Sequence, residues 1–308
     1  MADYLVTGVA GFIGAAVAQR LVAQGHRVIG VDNLSTGFRE AVPSGVEFFE
    51  GGCESAATWE RIPQIQYAAI YHIAGQSSGE VSFEDPLYDL QTNAQSTLHL
   101  LQLARRLEVS QLIYASTMSV YGDQPDRPVL ESAPTEPKSF YGVGKLASEH
   151  YLRIYAEQFG IKTVALRLFN VYGPGQNLSN LKQGMVSIYL AQALQNRHIV
   201  IKGAADRFRD FVYIEDVVAA FEAAEEMEQA GYGCFNIATG VRTTVADLVA
   251  AIQRALPFES TTEFVCGTPG DQFGITGDSR AYQIASGWRV QTPLAQGLEQ
   301  MVRWALNA

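Results

Sequence analysis

Short apolar runs alternate with amphipathic segments over the first two-thirds of the chain, which is 308 residues long. The runs predicted to be strands are residues 4–7, 27–31, 46–49, 68–73, 112–116 and 163–169. The segments predicted to be helices are residues 12–24, 87–107 and 140–159. Strands that alternate with helices indicate βαβ units, and right-handed crossovers place the helices on both faces of a parallel sheet. The pattern therefore predicts an α/β fold of the Rossmann type, with a doubly wound parallel sheet.

The pattern changes after Tyr172, where the sequence GPGQN (173–177) combines residues that interrupt helices and strands. Helical patterns follow at residues 181–195, 245–256 and 293–306, and a strand-like run at 234–238 is expected to join the main sheet. We predict a Rossmann domain over residues 1–172, with a return segment at about 205–240. A smaller C-terminal lobe that binds the substrate is predicted over residues 173–204 and 241–308.

Composition narrows the class of protein. The chain is 47% hydrophobic and 18% charged, which is ordinary for a globular protein, and its formal net charge of -10 disfavours a nucleic-acid partner. No apolar stretch is long enough for a membrane span, and residues 1–8 lack the pattern of a secretion signal. The three cysteines, Cys53, Cys234 and Cys266, are far apart and lack metal-ligand spacing. We therefore expect a cytoplasmic protein with no metal site and no membrane partner.

A glycine-rich turn, GVAGFIG (8–14), follows the first predicted strand and opens the first predicted helix. Glycines allow the backbone to approach a pyrophosphate, which then sits at the helix N-terminus. Asp32 ends the second strand, where a carboxylate can accept hydrogen bonds from a ribose diol and repels a 2′-phosphate. These residues favour NAD over NADP. The alternatives are an ordinary strand-to-helix turn and an aspartate that only caps a turn.

Candidate catalytic residues lie at two places. Tyr141 and Lys145 are four residues apart, so on a helix they share one face. A tyrosine that acts as a base near neutral pH needs its pKa lowered by about three units, roughly 4 kcal/mol, which an ammonium group and a positive nicotinamide ring can supply together. Ser116 and Thr117 end a strand, where ligands bind in open α/β sheets. The alternatives are a surface Tyr–Lys pair and hydroxyls that cap a turn.

Taken together, these segments resemble the extended short-chain dehydrogenase/reductase family, and within it the NAD-dependent epimerases and dehydratases. The resemblance covers nearly the whole chain and is greatest to the UDP-hexose 4-epimerase branch. It rests on GVAGFIG (8–14), DNLSTG (32–37), HIAG (72–75), Asn93, Ser116-Thr117, VYGDQP (120–125), YGVGK (141–145), LRLFNVYG (166–173) and RDFV (209–212).

The resemblance implies a cofactor, a reaction and a set of site residues. Residues 1–172 would form the NAD-binding domain, and the reaction would be epimerisation at C4 of a nucleotide-diphosphate hexose through a transient 4-keto sugar. The implied catalytic residues are Thr117, Tyr141 and Lys145. The implied NAD contacts are Gly8, Gly11, Phe12, Ile13, Gly14, Asp32, Asn33, Ala74, Gly75, Asn93, Tyr141, Lys145 and Phe169. The implied substrate contacts are Thr117, Asn170, Lys182, Val200, Lys202, Arg209 and Asp271. A homodimer would form through the helices at 87–107 and 140–159.

The chain also departs from related branches of the family. The sugar-nucleotide dehydratases carry an Asp-Glu pair where this chain has Met118 and Ser119, so elimination of water is disfavoured. The GDP-fucose synthases use a Cys and a His at the positions that hold Met118 and Gly175 in this chain, so that branch is also disfavoured. An arginine that clamps the diphosphate in relatives is Thr268 here, and Lys182 is the predicted substitute. The remaining alternatives are an NAD(P)H-dependent reductase of a nucleotide-linked 4-keto-6-deoxy sugar and a non-catalytic dinucleotide-binding protein.

Overall fold

A computed structural model describes residues 1–228, 230–267 and 273–307. Within these ranges the strands are β1 Asp3–Thr7, β2 Arg27–Asp32, β3 Val46–Glu50, β4 Ala69–His72, β5 Gln111–Thr117, β6 Lys162–Leu168, β7 Asn170–Tyr172, β8 His198–Lys202, β9 Phe208–Arg209, β10 Phe211–Tyr213, β11 Tyr232–Ile237, β12 Thr243–Thr244 and β13 Thr261–Val265. The α-helices are α1 Phe12–Ala23, α2 Ala56–Arg61, α3 Gly79–Glu84, α4 Pro86–Leu90, α5 Ser96–Arg106, α6 Phe140–Phe159, α7 Met185–Asn196, α8 Ile214–Glu226, α9 Val245–Ala255, α10 Arg280–Ser286 and α11 Leu294–Asn307.

The central sheet, as far as the structure describes it, has seven strands in the order β11-β6-β5-β4-β1-β2-β3. All adjacent strands are parallel. The strand order reverses between β1 and β4, so the carboxyl ends of these strands border the crevice in which α/β proteins bind ligands. The predicted fold class is confirmed, as is the prediction that the run at 234–238 adds a strand to the main sheet.

Side chains that alternate along each strand fill two hydrophobic cores, one on each face of the sheet. Leu5, Ile29 and Ile70 point to one face, where Leu100 and Leu101 of α5 cover them. The other face is covered by α1 and α8, and its core extends into the C-terminal part of the chain. The sheet is thus buried on both sides, which is typical of parallel sheets. Among the described residues, no helix combines the length and the apolar character needed to cross a membrane.

Two predicted helices differ from the observed ones. The helix expected to begin at residue 181 begins at Met185, because Gly184 has φ 84° and stops the helical backbone at that point. The helix expected over 87–107 is divided by a π-helical turn, Gln91–Gln95, between α4 and α5. Hydrophobic periodicity predicts a helical face but does not reveal one widened turn within it. The short strand pairs β8–β13, β7–β10 and β9–β12 were not predicted.

A buried ion pair fixes α6 against the sheet. Arg167 of β6 donates to Glu149 of α6 from Nε (2.9 Å) and Nη2 (2.7 Å). The Ser116 hydroxyl at the end of β5 donates to the same carboxylate at 2.5 Å. Arg167 Nη1 also donates to the Tyr121 hydroxyl at 2.9 Å. These bonds connect α6 to the carboxyl ends of β5 and β6, where the candidate catalytic residues lie.

We expect Arg167→Met to lower the free energy of unfolding by about 3 kcal/mol or more, because it leaves Glu149 buried without its cation. Urea unfolding followed by circular dichroism measures the change. Arg153→Met is the matched control, since Arg153 forms an exposed pair with Glu157 on the same helix at 3.8 Å, and such surface pairs contribute little. Equal stability of the two variants would contradict a structural role for the Glu149–Arg167 pair.

Candidate active site

A cavity of about 610 Å³ opens at the carboxyl ends of the central strands. This volume lies within the usual range for a small-molecule site. Predicted site residues in its wall are Gly8, Gly11, Phe12, Ile13, Gly14, Asp32, Asn33, Ala74, Gly75, Thr117, Tyr141, Lys145, Phe169 and Asn170. The structure therefore brings together residues that were predicted from distant parts of the sequence.

The glycine-rich turn between β1 and α1 has room only for glycine at two positions. Gly8 adopts φ 73°, a left-handed conformation that favours glycine. A Cβ atom on Gly14 would lie 2.0 Å from the Gly8 carbonyl oxygen, so the first turn of α1 packs directly on the turn before it. Gly11 is the N-cap of α1 and offers no side-chain acceptor to the N–H groups of the first helical turn. Those groups suit an anion at the helix N-terminus.

Asp32 holds this turn and also borders the cavity. Its Oδ2 accepts a hydrogen bond from the Ala10 N–H at 3.0 Å, and its Oδ1 accepts one from the Leu34 N–H at 2.8 Å. The carboxylate is therefore fixed at the end of β2, beside the residues that precede α1. The prediction of an acidic residue at the end of the second strand is confirmed.

Tyr141 and Lys145 are both buried on α6, so the alternative of a surface pair is wrong. Lys145 Nζ lies 5.9 Å from the centre of the Tyr141 ring and donates to the Ala115 carbonyl oxygen at 3.0 Å. It also lies 4.7 Å from the centre of the Tyr114 ring. The Thr117 hydroxyl at the end of β5 lies in the same cavity wall, close enough to Tyr141 to influence its pKa. A hydroxyl, a phenol and an ammonium group thus converge in one wall of the cavity.

Burial controls the protonation of these groups. It raises the pKa of Tyr141 to about 12, although the nearby Thr117 hydroxyl opposes the shift. It lowers the pKa of Lys145 to about 8, although the carboxylates of Asp89 and Glu149 oppose the shift. The protein alone therefore holds Tyr141 as a neutral phenol at neutral pH, and a Tyr141 base needs additional positive charge from a bound ligand.

Close packing explains the two glycines between Tyr141 and Lys145. A Cβ atom on Gly142 would lie 2.7 Å from the Ser119 carbonyl oxygen. A Cβ atom on Gly144 would lie 3.2 Å from Asn93 Cβ and 3.3 Å from Asp89 Oδ2. The glycines thus allow α6 to approach the end of β5 on one side and the π-helical turn on the other.

Asn93 does not line the cavity but supports its wall from the π-helical turn. Its Nδ2 donates to the Gln76 carbonyl oxygen at 3.0 Å and to Asp89 Oδ1 at 3.2 Å. Its Oδ1 is buried and has no hydrogen-bond partner among the described residues. A Cβ atom on Gly75 would lie 2.4 Å from this oxygen and 3.4 Å from Lys145 Nζ, so the Asn93 oxygen and the Lys145 ammonium both lie close to Gly75.

The predicted substrate contacts are not all in the cavity wall. Asn170 lines the cavity. Its Nδ2 donates to the Asp210 carbonyl oxygen at 3.2 Å and lies 3.5 Å from Met118 Sδ. Arg209 is buried outside the cavity wall, and its Nη1 donates to the Phe208 carbonyl oxygen at 2.8 Å. Burial lowers the pKa of Arg209 to about 10.

Three other predicted contacts lie away from the cavity wall. Lys182 does not begin a helix, and its Nζ forms an exposed ion pair with Glu84 at 2.8 Å. The Val200 N–H already donates to Gln192 Oε1 at 2.8 Å, and the side chain of Lys202 is exposed on β8. Asp271 and Thr268 lie outside the described residues.

Sequence reasoning missed two buried side chains of this region. Gln176 lines the cavity, and its buried Oε1 has no hydrogen-bond partner among the described residues. Asp89 is almost completely buried beside Asn93. A signal was available for Gln176, because it belongs to the breaker-rich loop after β7. None was available for Asp89, which resembles an exposed polar residue of an amphipathic helix. In the described ranges, no group of His, Cys, Asp or Glu side chains is arranged to hold a metal ion.

A family model, that of the NAD-dependent epimerase/dehydratase family, matches residues 4–238. The chain belongs to this family. It is 34% identical over 309 residues to a UDP-glucose 4-epimerase of Mycolicibacterium smegmatis, with 98% of both chains covered. Its fold matches the UDP-glucose 4-epimerase of Thermotoga maritima, solved with UDP-glucose, with a TM-score of 0.94, 32% identity and 99% of each chain covered. It also matches the UDP-glucose 4-epimerase of Thermus thermophilus, solved with NAD, with a TM-score of 0.91, 33% identity and 99% of each chain covered.

The residues present fit NAD, the family's cofactor. The Gly8–Gly14 contact leaves the α1 N-terminus open to a pyrophosphate, and the Asp32 carboxylate stands at the end of β2, where a ribose diol is recognised. At the other end of the cavity, the phenol of Tyr141 and the ammonium of Lys145 suit the nicotinamide riboside.

We expect the protein to bind NAD more tightly than NADP, and Asp32→Asn to reduce that preference by about tenfold or more, because a charged hydrogen bond is lost and the repulsion of a 2′-phosphate is relieved. Isothermal titration with both dinucleotides measures the preference. Glu54→Gln removes another carboxylate from the cavity wall and should leave the preference unchanged. Tighter binding of NADP by the unaltered protein would show that Asp32 is not the selecting residue.

Proposed function

We propose that the protein is an NAD-dependent sugar-nucleotide 4-epimerase that interconverts UDP-glucose and UDP-galactose. The observation that carries the proposal is the convergence of Thr117, Tyr141 and Lys145 in one cavity with the glycine-rich turn and Asp32. Support also comes from relatives that match the chain over nearly its whole length and are named UDP-glucose 4-epimerases.

In the proposed mechanism Tyr141 exchanges a proton with the hydroxyl at C4 of the sugar. The Thr117 hydroxyl, which lies beside Tyr141 in the cavity wall, would share this proton and orient the substrate oxygen. The Lys145 ammonium would stabilise the phenolate, since an opposite charge nearby favours the ionised form. Bound NAD supplies a reversible hydride acceptor. The buried positions of Tyr141 and Lys145 keep bulk water away from the 4-keto sugar while it turns to present its other face.

The side chains beside Thr117 favour epimerisation over elimination of water. Met118 carries a thioether and Ser119 a hydroxyl, and Thr117 Oγ1 donates to Ser119 Oγ at 3.2 Å. Neither side chain is a carboxylate that could remove a proton at C5 and protonate a leaving hydroxyl. The Asp32 carboxylate likewise argues against an NADPH-dependent reductase.

For the substrate diphosphate we propose Asn170 and Arg209. The Asn170 N–H donates to the Asp210 carbonyl oxygen at 3.0 Å, so the residue that follows Arg209 in the chain is a neighbour of Asn170. Arg209 Nη1 also donates to the Phe273 carbonyl oxygen at 3.2 Å. Lys182, Val200, Lys202 and Asp271 stay predicted contacts. Lys182 would have to leave Glu84 to reach a ligand.

We retain the predicted division of the chain as part of the proposal. Residues 1–172 with the return segment at about 205–240 would bind NAD, and residues 173–204 and 241–308 would bind the sugar nucleotide. The position of β11 beside β6 supports a return segment. Three cysteines that are all free thiols support a reducing compartment, and we propose the cytoplasm.

We propose that two copies associate through α3, α4 and α6. An apolar patch on these helices contains Phe83, Leu87, Leu90, Phe140 and Val143, all exposed by about half or more. The rings of Phe83 and Phe140 are in contact, with centroids 5.6 Å apart, so the patch is continuous across α3 and α6. Exposed apolar patches of this kind mark protein interfaces.

We expect the purified protein to interconvert UDP-glucose and UDP-galactose, and Tyr141→Phe to lower kcat by on the order of 10²-fold or more because the proton acceptor is lost. Nuclear magnetic resonance of the two UDP-sugars measures the rate. Tyr114→Phe is the matched control, since Tyr114 also stands beside Lys145 but does not line the cavity. Near-normal turnover by Tyr141→Phe would exclude Tyr141 as the acid/base. Failure of the unaltered protein on both UDP-sugars would refute the proposed substrate.

We expect the unaltered protein to sediment as a dimer, and the double variant Leu87→Glu, Val143→Glu to sediment as a monomer, because two charges would be buried in an apolar interface. Analytical ultracentrifugation measures the mass. Ile284→Glu is the control, since Ile284 is 86% exposed on α10, away from the patch. A dimer that survives the double variant would place the interface elsewhere.

A further inference from the structure

Asp89 is a carboxylate buried beside the active site for which the proposed mechanism has no role. It lies in α4, one turn before Asn93, and only 1% of its surface is exposed. A buried carboxylate is costly unless hydrogen bonds and a compensating positive charge stabilise it. Its surroundings therefore indicate what it does.

The hydrogen bonds of Asp89 lead to the cavity wall. Its Oδ1 accepts from Gln76 Nε2 at 2.7 Å and from Asn93 Nδ2 at 3.2 Å. Gln76 lines the cavity next to Gly75, and its carbonyl oxygen accepts a second bond from Asn93 Nδ2 at 3.0 Å. One carboxylate oxygen thus holds together the loop after β4 and the π-helical turn.

The second oxygen of Asp89 faces the catalytic helix. A Cβ atom on Gly144 would lie 3.3 Å from Asp89 Oδ2, and Gly144 directly precedes Lys145. Any larger residue at position 144 would intrude between the carboxylate and α6. The negative charge of Asp89 is therefore brought against α6 beside the residue that precedes Lys145.

The groups around Lys145 show why this charge matters. The Tyr141 and Tyr114 rings stand 5.9 Å and 4.7 Å from Nζ, and the Ala115 carbonyl oxygen accepts its hydrogen bond. His72 of β4 is also near, and burial together with the Lys145 charge holds the pKa of His72 well below its usual value. The nearby carboxylates are Asp89 from α4 and Glu149 from α6.

Glu149 is already committed to another cation. Its two oxygens accept hydrogen bonds from the buried Arg167 guanidinium. The hydrogen bonds of Asp89 come from neutral amides instead. Of these two carboxylates, Asp89 is therefore the one whose negative charge is available to balance the Lys145 ammonium.

We propose that Asp89 is a positioning residue of the active site, which braces Asn93 and Gln76 at the nicotinamide end of the cavity and supplies the counter-charge of the Lys145 ammonium. The inference rests on the proposed roles of Tyr141 and Lys145. It adds a residue that acts through them without touching the substrate.

The electrostatic direction agrees with this role. Burial lowers the pKa of Lys145, and the Asp89 charge acts against that shift. Burial raises the pKa of Asp89, while the Gln76 hydrogen bond, the Lys145 charge and the Asn93 hydrogen bond oppose it. Each charge thus favours the ionised form of the other.

Asp89→Asn tests the proposal because it removes the charge and keeps the size and one acceptor oxygen. We expect the alkaline limb of the pH dependence of kcat to move to lower pH by about one unit, since Lys145 loses its proton more easily. Binding of NAD⁺ at about pH 6 should weaken by about threefold or more relative to NADH, because a negative charge near the positive nicotinamide ring is lost. Asp85→Asn is the matched control, since Asp85 caps the same helix and is exposed.

The two measurements separate the possible failures. An unshifted alkaline limb and an unchanged NAD⁺-to-NADH affinity ratio in folded Asp89→Asn would overturn the proposal. A shifted limb and a changed ratio in the control Asp85→Asn would overturn it as well. A loss of both affinities in equal proportion would also overturn it, because a purely structural residue would have that effect. If the unaltered protein epimerises neither UDP-sugar, the proposed function fails, and the affinity ratio still decides the role of Asp89.

Discussion

The structure depends on the close approach of α6 to the carboxyl end of β5 and to the π-helical turn. Gly142 and Gly144 make this approach possible, because a side chain at either position would meet backbone or buried side-chain atoms. The Glu149–Arg167 pair then holds the helix in place from the far side. Tyr141 and Lys145 consequently project into the cavity from a rigid element, at the point where Thr117 ends its strand.

The same burial that fixes these groups opposes their ionisation. A lysine out of contact with water is more easily deprotonated, and a tyrosine out of contact with water is harder to deprotonate. Both shifts work against a phenolate–ammonium pair in the ligand-free protein. A positive nicotinamide ring would reverse the balance for Tyr141, so the proposed proton abstraction would be linked to the presence of oxidised cofactor. Such a link would keep the site from acting as a base when no hydride acceptor is bound.

The nucleotide end of the cavity follows a simpler rule. There the groups that can meet a ligand are backbone N–H groups and one carboxylate, and the constraint is steric. Gly14 sits on the Gly8 carbonyl, and Asp32 ties Ala10 to the end of β2. The turn is therefore preorganised by short-range contacts, whereas the catalytic end is assembled from β5, α6 and the loop after β4.

Local sequence determined the features that depend on near neighbours. The alternation of apolar runs and helical patterns predicted the parallel sheet, because strand burial and helix faces have fixed periods. Three local features predicted residues that line the cavity, since each places its groups on one turn or one helix face. They are the glycine spacing at residues 8–14, Asp32 at a strand end, and the four-residue spacing of Tyr141 and Lys145. The end of a strand made Ser116 and Thr117 candidates, and the resemblance to a family chose Thr117 and added Asn93 and Asn170.

Only the tertiary structure decided which of these residues meet and which polar side chains are buried. Contacts between segments far apart in the chain set the π-helical turn and the burial of Asp89. They also decide that the Asn93 and Gln176 side-chain oxygens are buried with no hydrogen-bond partner in the part of the chain that the structure describes. The pairing of Lys182 with Glu84, and of Arg209 with the Phe208 and Phe273 carbonyls, likewise joins residues that no local pattern connects. Periodicity shows which face of a helix is apolar, but the partner of a buried charge is set by the packing of the whole fold.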